Sequence, residues 1–186
     1  TQSSDTATAA DKEVTGARIY GTDQNYPILN SLELNSGRFF DTSDVTMRSN
    51  VCVIGEELEQ RLFPGQSAIG KYITFPGITL EVIGVIKRQD IMGQSNSKDV
   101  MLPITTIQDK WKGGESIQYI TARAKKGVQV KDAMEAVWQA MMRKSGNRPI
   151  YRVDSNESIL NVFNTIFGVA GVALSGIAAL SLLVGG

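Results

Sequence analysis

The stretch SILNVFNTIFGVAGVALSGIAALSLLVGG, residues 158–186, runs for 29 positions without a charge, starting directly after Glu157. A hydrocarbon layer about 30 Å thick is crossed by roughly 20 mostly apolar helical residues. Val162 to Val184 exceeds that length, with only Asn164, Thr165, Ser175 and Ser181 as polar interruptions. Helices buried in globular cores average about 11–12 residues, so the run reads as a membrane helix rather than a core helix. Its place behind a charged, domain-like stretch excludes a signal peptide. Gly171, Ser175 and Ala179 recur every four residues, which puts small side chains on one helix face where another helix can approach closely. With no basic anchor before Gly186, the run reads as cut short.

Upstream of Glu157 the composition is that of an ordinary folded domain. The 186 residues are 42% apolar, and 19 Lys and Arg balance 19 Asp and Glu. A balanced charge gives no field to draw the chain onto nucleic acid. The absence of histidine removes Ser-His-Asp triads, Cys-His dyads and imidazole zinc sites. Cys52 is the single cysteine, and in Val51-Cys52-Val53-Ile54 it reads as a small apolar strand residue. Neither a Walker loop nor a dinucleotide fingerprint occurs, so no cofactor is expected on the chain itself. Glu56, Glu57 and Glu59 are explained by the positive end of a helix better than by a metal.

The element pattern predicts an α+β domain. Residues 1–13 are small and polar, and are expected to form a flexible arm. Val14 to Tyr20 predicts a strand, Tyr26 to Leu34 a short helix turning into a strand, and Val51 to Ile54 another strand. Glu56 to Phe63 predicts a helix stopped by Pro64-Gly65. Lys71 to Phe75 and Ile78 to Lys87 form a hairpin about Pro76-Gly77. Gln89 to Asp99 reads as an exposed loop, and in it Gln94, Ser95, Asn96 and Ser97 are the candidate partner surface. Val100 to Ile104 is a strand, Thr105 to Lys112 a helix, and Ile117 to Ala124 and Ile150 to Val153 are further strands. Val130, Ala133, Met134, Val137, Trp138 and Met141 mark one helix face, expected to be core. Asp154 or Ser155 is expected to cap the last helix, with Glu157 completing a capping box.

Several short pieces arrive in a particular order: Asn35-Ser36-Gly37-Arg38-Phe39-Phe40, Val51-Cys52-Val53-Ile54-Gly55, Leu62-Phe63-Pro64-Gly65, Ile69-Gly70-Lys71 and Val82-Ile83-Gly84-Val85. Leu102-Pro103, Ile120-Thr121-Ala122-Arg123-Ala124 and Leu180-Ser181-Leu182-Leu183-Val184-Gly185-Gly186 follow. In this order the chain resembles the MacB-type permeases of ABC transporters, within the FtsX-like permease superfamily.

The resemblance implies a mixed-sheet porter-like extracytoplasmic domain with an inserted β-rich, Sabre-like subdomain, followed by a long transmembrane helix. By that analogy residues 14–39 and 105–154 are porter-like, 40–104 are the insertion, and 155–186 are a stalk with the start of the second membrane helix. It also implies a bacterial inner-membrane protein with residues 1–154 on the periplasmic or extracellular side. Its expected partners are an ABC ATPase supplying ATP and Mg chemistry, a second permease copy, a membrane-fusion adaptor and an outer-membrane exit duct. Function is then transmission of ATP-driven motion for efflux of drugs, peptides or other substrates, with no catalytic residue in this chain. The other readings are a permease-like regulator or lipoprotein-extracting subunit, and a membrane-tethered binding module.

Overall fold

The computed structural model describes residues 2–91, 93–110 and 117–185, with the side chains of 2–4, 91, 156–164, 179–180 and 182–184 excepted. The chain divides into two compact units, one up to Ala122 and one from Arg123.

In the first unit, β1 (Gln2–Ala9) and β2 (Lys12–Thr22) form an antiparallel hairpin. The expected flexible arm is therefore corrected. Ala7 and Ala9 are small enough to lie flush against the sheet interior, and both are buried beside Val14 and Ala17. Polar composition disguised a strand whose inward positions are alanines. After α1 (Tyr26–Asn30), which has Pro27 in its first turn, the chain makes the short β3 (Leu34–Gly37). The helix α2 (Thr42–Thr46) is closed by a capping box in which Asp41 accepts from Ser43 and Asp44, and Asp44 accepts from the Asp41 backbone.

β4 (Val51–Gly55) leads directly into α3 (Glu56–Leu62), which buries Leu58 and Leu62. Next come β5 (Tyr72–Phe75) and β6 (Ile78–Ile86), joined by a turn in which Gly77 has φ 87°, a conformation glycine adopts without a Cβ clash. Two short strands, β7 (Asp90–Ile91) and β8 (Gln94–Ser95), pair as a hairpin, and β9 (Asp99–Pro103) and α4 (Ile104–Lys110) follow.

The main sheet has seven strands in the order β3-β6-β4-β9-β2-β1-β5, and β5 also pairs with β6. That extra pairing closes six strands into a ring, with β3 attached outside it. Closure removes open edges and leaves an enclosed core. Inward side chains alternate along each strand: Ile19 on β2, Cys52 and Ile54 on β4, Ile73 and Phe75 on β5, Leu80 and Val82 on β6, and Val100 and Leu102 on β9. Leu58 and Leu62 of α3 join the same cluster. Bulges between Asp5 and Ala7, and between Cys52 and Val53, supply local bends that a closed sheet requires. Cys52 is fully buried, as the sequence predicts, and burial pushes its thiol far above the ordinary range. A second, smaller cluster of Phe40, Val53, Ile86 and Met101 lies on the opposite face, with Tyr20, Tyr26 and Leu32 packed against it.

Strands from residues 14–39 and from 40–104 share this one sheet, since β2 pairs with β9 and β3 with β6. No break in the sheet falls at the expected boundaries near Phe40 and Ile104. The expected strand over Ile117 to Ala124 is instead irregular and exposed, with Tyr119 82% accessible. Its apolar residues find no backbone ladder to join.

The second unit contains α5 (Val130–Lys144) and α6 (Asn156–Gly185). α5 forms where its period predicts, but buries no residue. Val137 and Trp138 stay over two-fifths exposed and Val130, Ala133, Met134 and Met141 are half-buried, so the face expected to be core is only partly covered. Ile150 to Val153 is irregular rather than a closing strand. The α6 capping box expected at Glu157 falls on side chains outside those described. Among the described residues no helix is long and apolar enough to cross a membrane. The membrane helix expected over 155–186 falls in part on side chains outside that description. Between 165 and 178 every described position of α6 is exposed, Phe167 and Val172 by more than 70%.

Candidate functional site

The predicted partner loop turns out to be a latched hairpin, and the latch begins on two neighbouring strands. Arg18 of β2 and Asp99 of β9 are direct partners in a parallel ladder. Alternation sends Ile19 and Val100 into the core, so Arg18 and Asp99 project from the other face beside Tyr20 and Met101. Arg18 Nε donates to Asp99 Oδ1 at 2.8 Å, and Nη2 lies 2.6 Å from the same oxygen in the ion pair. Nη2 also donates to the Ser95 carbonyl. One guanidinium thus ties the hairpin to the sheet.

Burial works differently on the two partners. The Asp99 side chain is 9% exposed and that of Arg18 29%. For Asp99, desolvation outweighs the Arg18 hydrogen bond and charge, and its pKa is raised. For Arg18, desolvation lowers the pKa, but the hydrogen bond and charge of Asp99 together raise it. Tyr20 and Tyr26 are both pushed up, by burial first and then by the Asp99 charge.

A second latch holds the far end of the loop. Ser97 is buried, and its hydroxyl donates to Glu57 Oε2 at 2.8 Å. Its carbonyl accepts from the Glu57 backbone N–H at 3.1 Å. α3 has no side-chain cap at Gly55, so this carbonyl satisfies one of the orphan donors at the helix start. A Cβ on Gly55 would collide with the Ser97 carbonyl, so glycine is needed for this approach. The Ser97 hydroxyl first, helped by Arg61 and Lys98, holds the Glu57 carboxyl below its usual range. Asn96 completes the loop: its Oδ1 accepts from Gln89 N at 2.7 Å, and its Nδ2 donates to the Lys87 carbonyl at 3.1 Å.

The four predicted residues therefore divide. Gln94 is exposed, Ser95 and Asn96 are half-buried, and Ser97 is buried. The expectation of an exposed loop is corrected at Ser97 and Asp99, which are interior fasteners. Arg18, Tyr20, Tyr26 and Asp99 were not singled out from sequence. The available signal was a lone charge between the apolar positions of β2 and another at the head of Val100-Met101-Leu102. Gly171 and Ser175 are exposed on α6, while the Ala179 side chain lies outside those described. Among the described residues no group of three or more Cys, Asp or Glu converges as a metal site. Glu59 Oε1 instead accepts from Ala68 N.

Between hairpin and sheet lies a cleft of about 390 Å³, bordered by Arg18, Tyr20, Tyr26, Gln94 and Asp99 among others. Ring, latched hairpin and cleft together make an α+β domain with one closed sheet and a built-in groove. The chain belongs to the family of MacB-like periplasmic core domains, which it matches over residues 1–140.

The macrolide export ATP-binding/permease protein MacB of Neisseria gonorrhoeae is 29% identical over 187 residues, covering 100% of this chain and 29% of that protein. MacB 1/2 of Paracoccus denitrificans is 30% identical over 171 residues, covering 91% of this chain and 25% of the relative. The chain thus spans less than a third of the curated relatives it matches. Among solved structures, the periplasmic region of MacB from Actinobacillus actinomycetemcomitans aligns with a TM-score of 0.77 at 24% identity, covering 88% of this chain and 73% of that one. The extracellular domain of the noncanonic ABC-type transporter YknZ from Gram-positive bacteria aligns at 0.68 with 21% identity, over 83% and 78%. Both likenesses speak to the fold.

Proposed function

We propose that this chain is the extracytoplasmic part of an ABC exporter permease together with the first stretch of a membrane helix, and that it transmits ATP-driven motion. Residues 1–154 stand outside the membrane and α6 enters it. The observation that carries this reading is α6: a 30-residue helix whose described middle exposes Ile166, Phe167, Val169, Val172, Leu174 and Ile177. Apolar side chains exposed all round a helix are stable only against lipid or other helices. Gly171 and Ser175 give one face of it a close-packing surface for a neighbouring membrane helix. In the proposed assembly the chain works with an ABC ATPase holding ATP and Mg, a second permease copy and an adaptor leading to an exit duct; the ATP-binding/permease names of the relatives support the ATPase. The exported compounds are drugs or peptides. The tip of the β7–β8 hairpin, at Gln94, is the adaptor-facing point, because the latches below hold it still.

Labelling of the full chain in liposomes tests this. Cys52 is buried, so Leu174→Cys and Gln94→Cys can be read separately. A membrane-impermeant maleimide is expected to label position 94 at least about tenfold faster than position 174, as lipid burial excludes the reagent. Equal rates would remove the membrane assignment.

A further inference from the structure

We propose that the cleft between the hairpin and the sheet is a binding pocket for a small uncharged amide with an apolar body. The inference concerns residues up to Ala122 and does not depend on where α6 resides. A volume of about 390 Å³ falls in the range of small-molecule sites, roughly 300–1,000 Å³. Arg carries five N–H donors. Arg18 commits two of them, Nε to Asp99 and one Nη2 hydrogen to Ser95, with Nη2 also in ion-pair contact with Asp99. Both hydrogens of Nη1 lack a protein acceptor among the described residues. Asp99 receives its bonds on Oδ1 alone, so Oδ2 has no donor among those residues. The cleft floor therefore offers a donor and an acceptor from one ion pair.

An amide group matches that floor, with its carbonyl accepting from Nη1 and its N–H donating to Oδ2. Charge selects against ions. The pair is already neutral, and a carboxylate or ammonium entering the half-enclosed cleft loses hydration without gaining an unspent countercharge. Tyr20, Tyr26, Leu32 and Met101 line the remainder and fit an aliphatic or aromatic substituent. The Tyr26 hydroxyl has no side-chain partner among the described residues and can donate a further bond. The double latch keeps the cleft open before any ligand arrives, which lowers the ordering cost of binding.

The test uses the full chain, labelled with nitrogen-15 in lipid nanodiscs, and three probes: N-acetyl-leucinamide, N-acetyl-leucine and leucinamide. The neutral probe is expected to shift the backbone signals of Tyr20, Gln94 and Asp99 saturably. The carboxylate and ammonium probes are expected to bind at least about tenfold more weakly, from the cost of desolvating an unpaired charge. Arg18→Lys keeps the positive charge but removes the Nη1 fork, and is expected to weaken the neutral probe about tenfold. Should Arg18→Lys unfold, Tyr26→Phe, which removes only the hydroxyl, still reads the site through a several-fold loss. Absence of saturable shifts, equal binding of a charged probe, or unchanged affinity in the folded variants would overturn the proposal.

Discussion

Asp99 and Glu57 are two carboxylates that fasten the same hairpin, one through Arg18 and one through Ser97, yet acid acts on them in opposite senses. Asp99 has a native pKa above its unfolded value, so between those two values the native state holds the proton more tightly. Stability then falls as pH rises through that window. Wild-type protein should gain stability relative to Asp99→Asn as pH drops from near neutral toward the ordinary carboxylate value, measured by denaturant unfolding at a series of pH values. A difference that shrinks on acidification contradicts the assignment. Glu57 runs the other way: its native pKa is lowered, so its contribution is full above the unfolded value and is lost as pH falls through the native one. Ser97→Ala removes the first cause of that shift and leaves the acid limb shallower, at a cost of about 1.5–3 kcal/mol near neutral pH for one lost hydrogen bond to a charged group.

At the scale of elements, α3 and β1 show how a segment earns its place by what it covers. Leu58 is fully buried in the ring interior, so Leu58→Ala should cost about 2–5 kcal/mol, seen as a lower midpoint in urea at unchanged slope. Removing residues 2–9 deletes β1 from between β2 and β5, and should abolish the cooperative transition altogether, since Val14 and Ala17 lose their cover. The strands β4, β5, β6 and β9 were legible because β-branched residues and the Pro76-Gly77 turn mark them locally. β1 was not, because alanine carries little strand preference and only the neighbouring strands make its alternation meaningful. The face of α5 was read as core from period alone. Periodicity reports which side is apolar, and the cover must come from elsewhere. The Arg18–Asp99 latch joins residues 81 positions apart, so no local window contains it.

The whole first unit inherits a property from its ring of strands. Around that ring the pairings are uneven: β1 meets β2 through seven register pairs, whereas β1 meets β5 only at Thr8 and Thr74. A hoop fastened by one rivet springs there before it tears anywhere else. Amide hydrogens on either side of that single bridge should exchange with solvent well ahead of those on β4 and β9, read residue by residue in deuterated buffer. Thermal loosening of the domain would then start as an unzipping between its first strand and its fifth, leaving the latched hairpin among the last parts to let go.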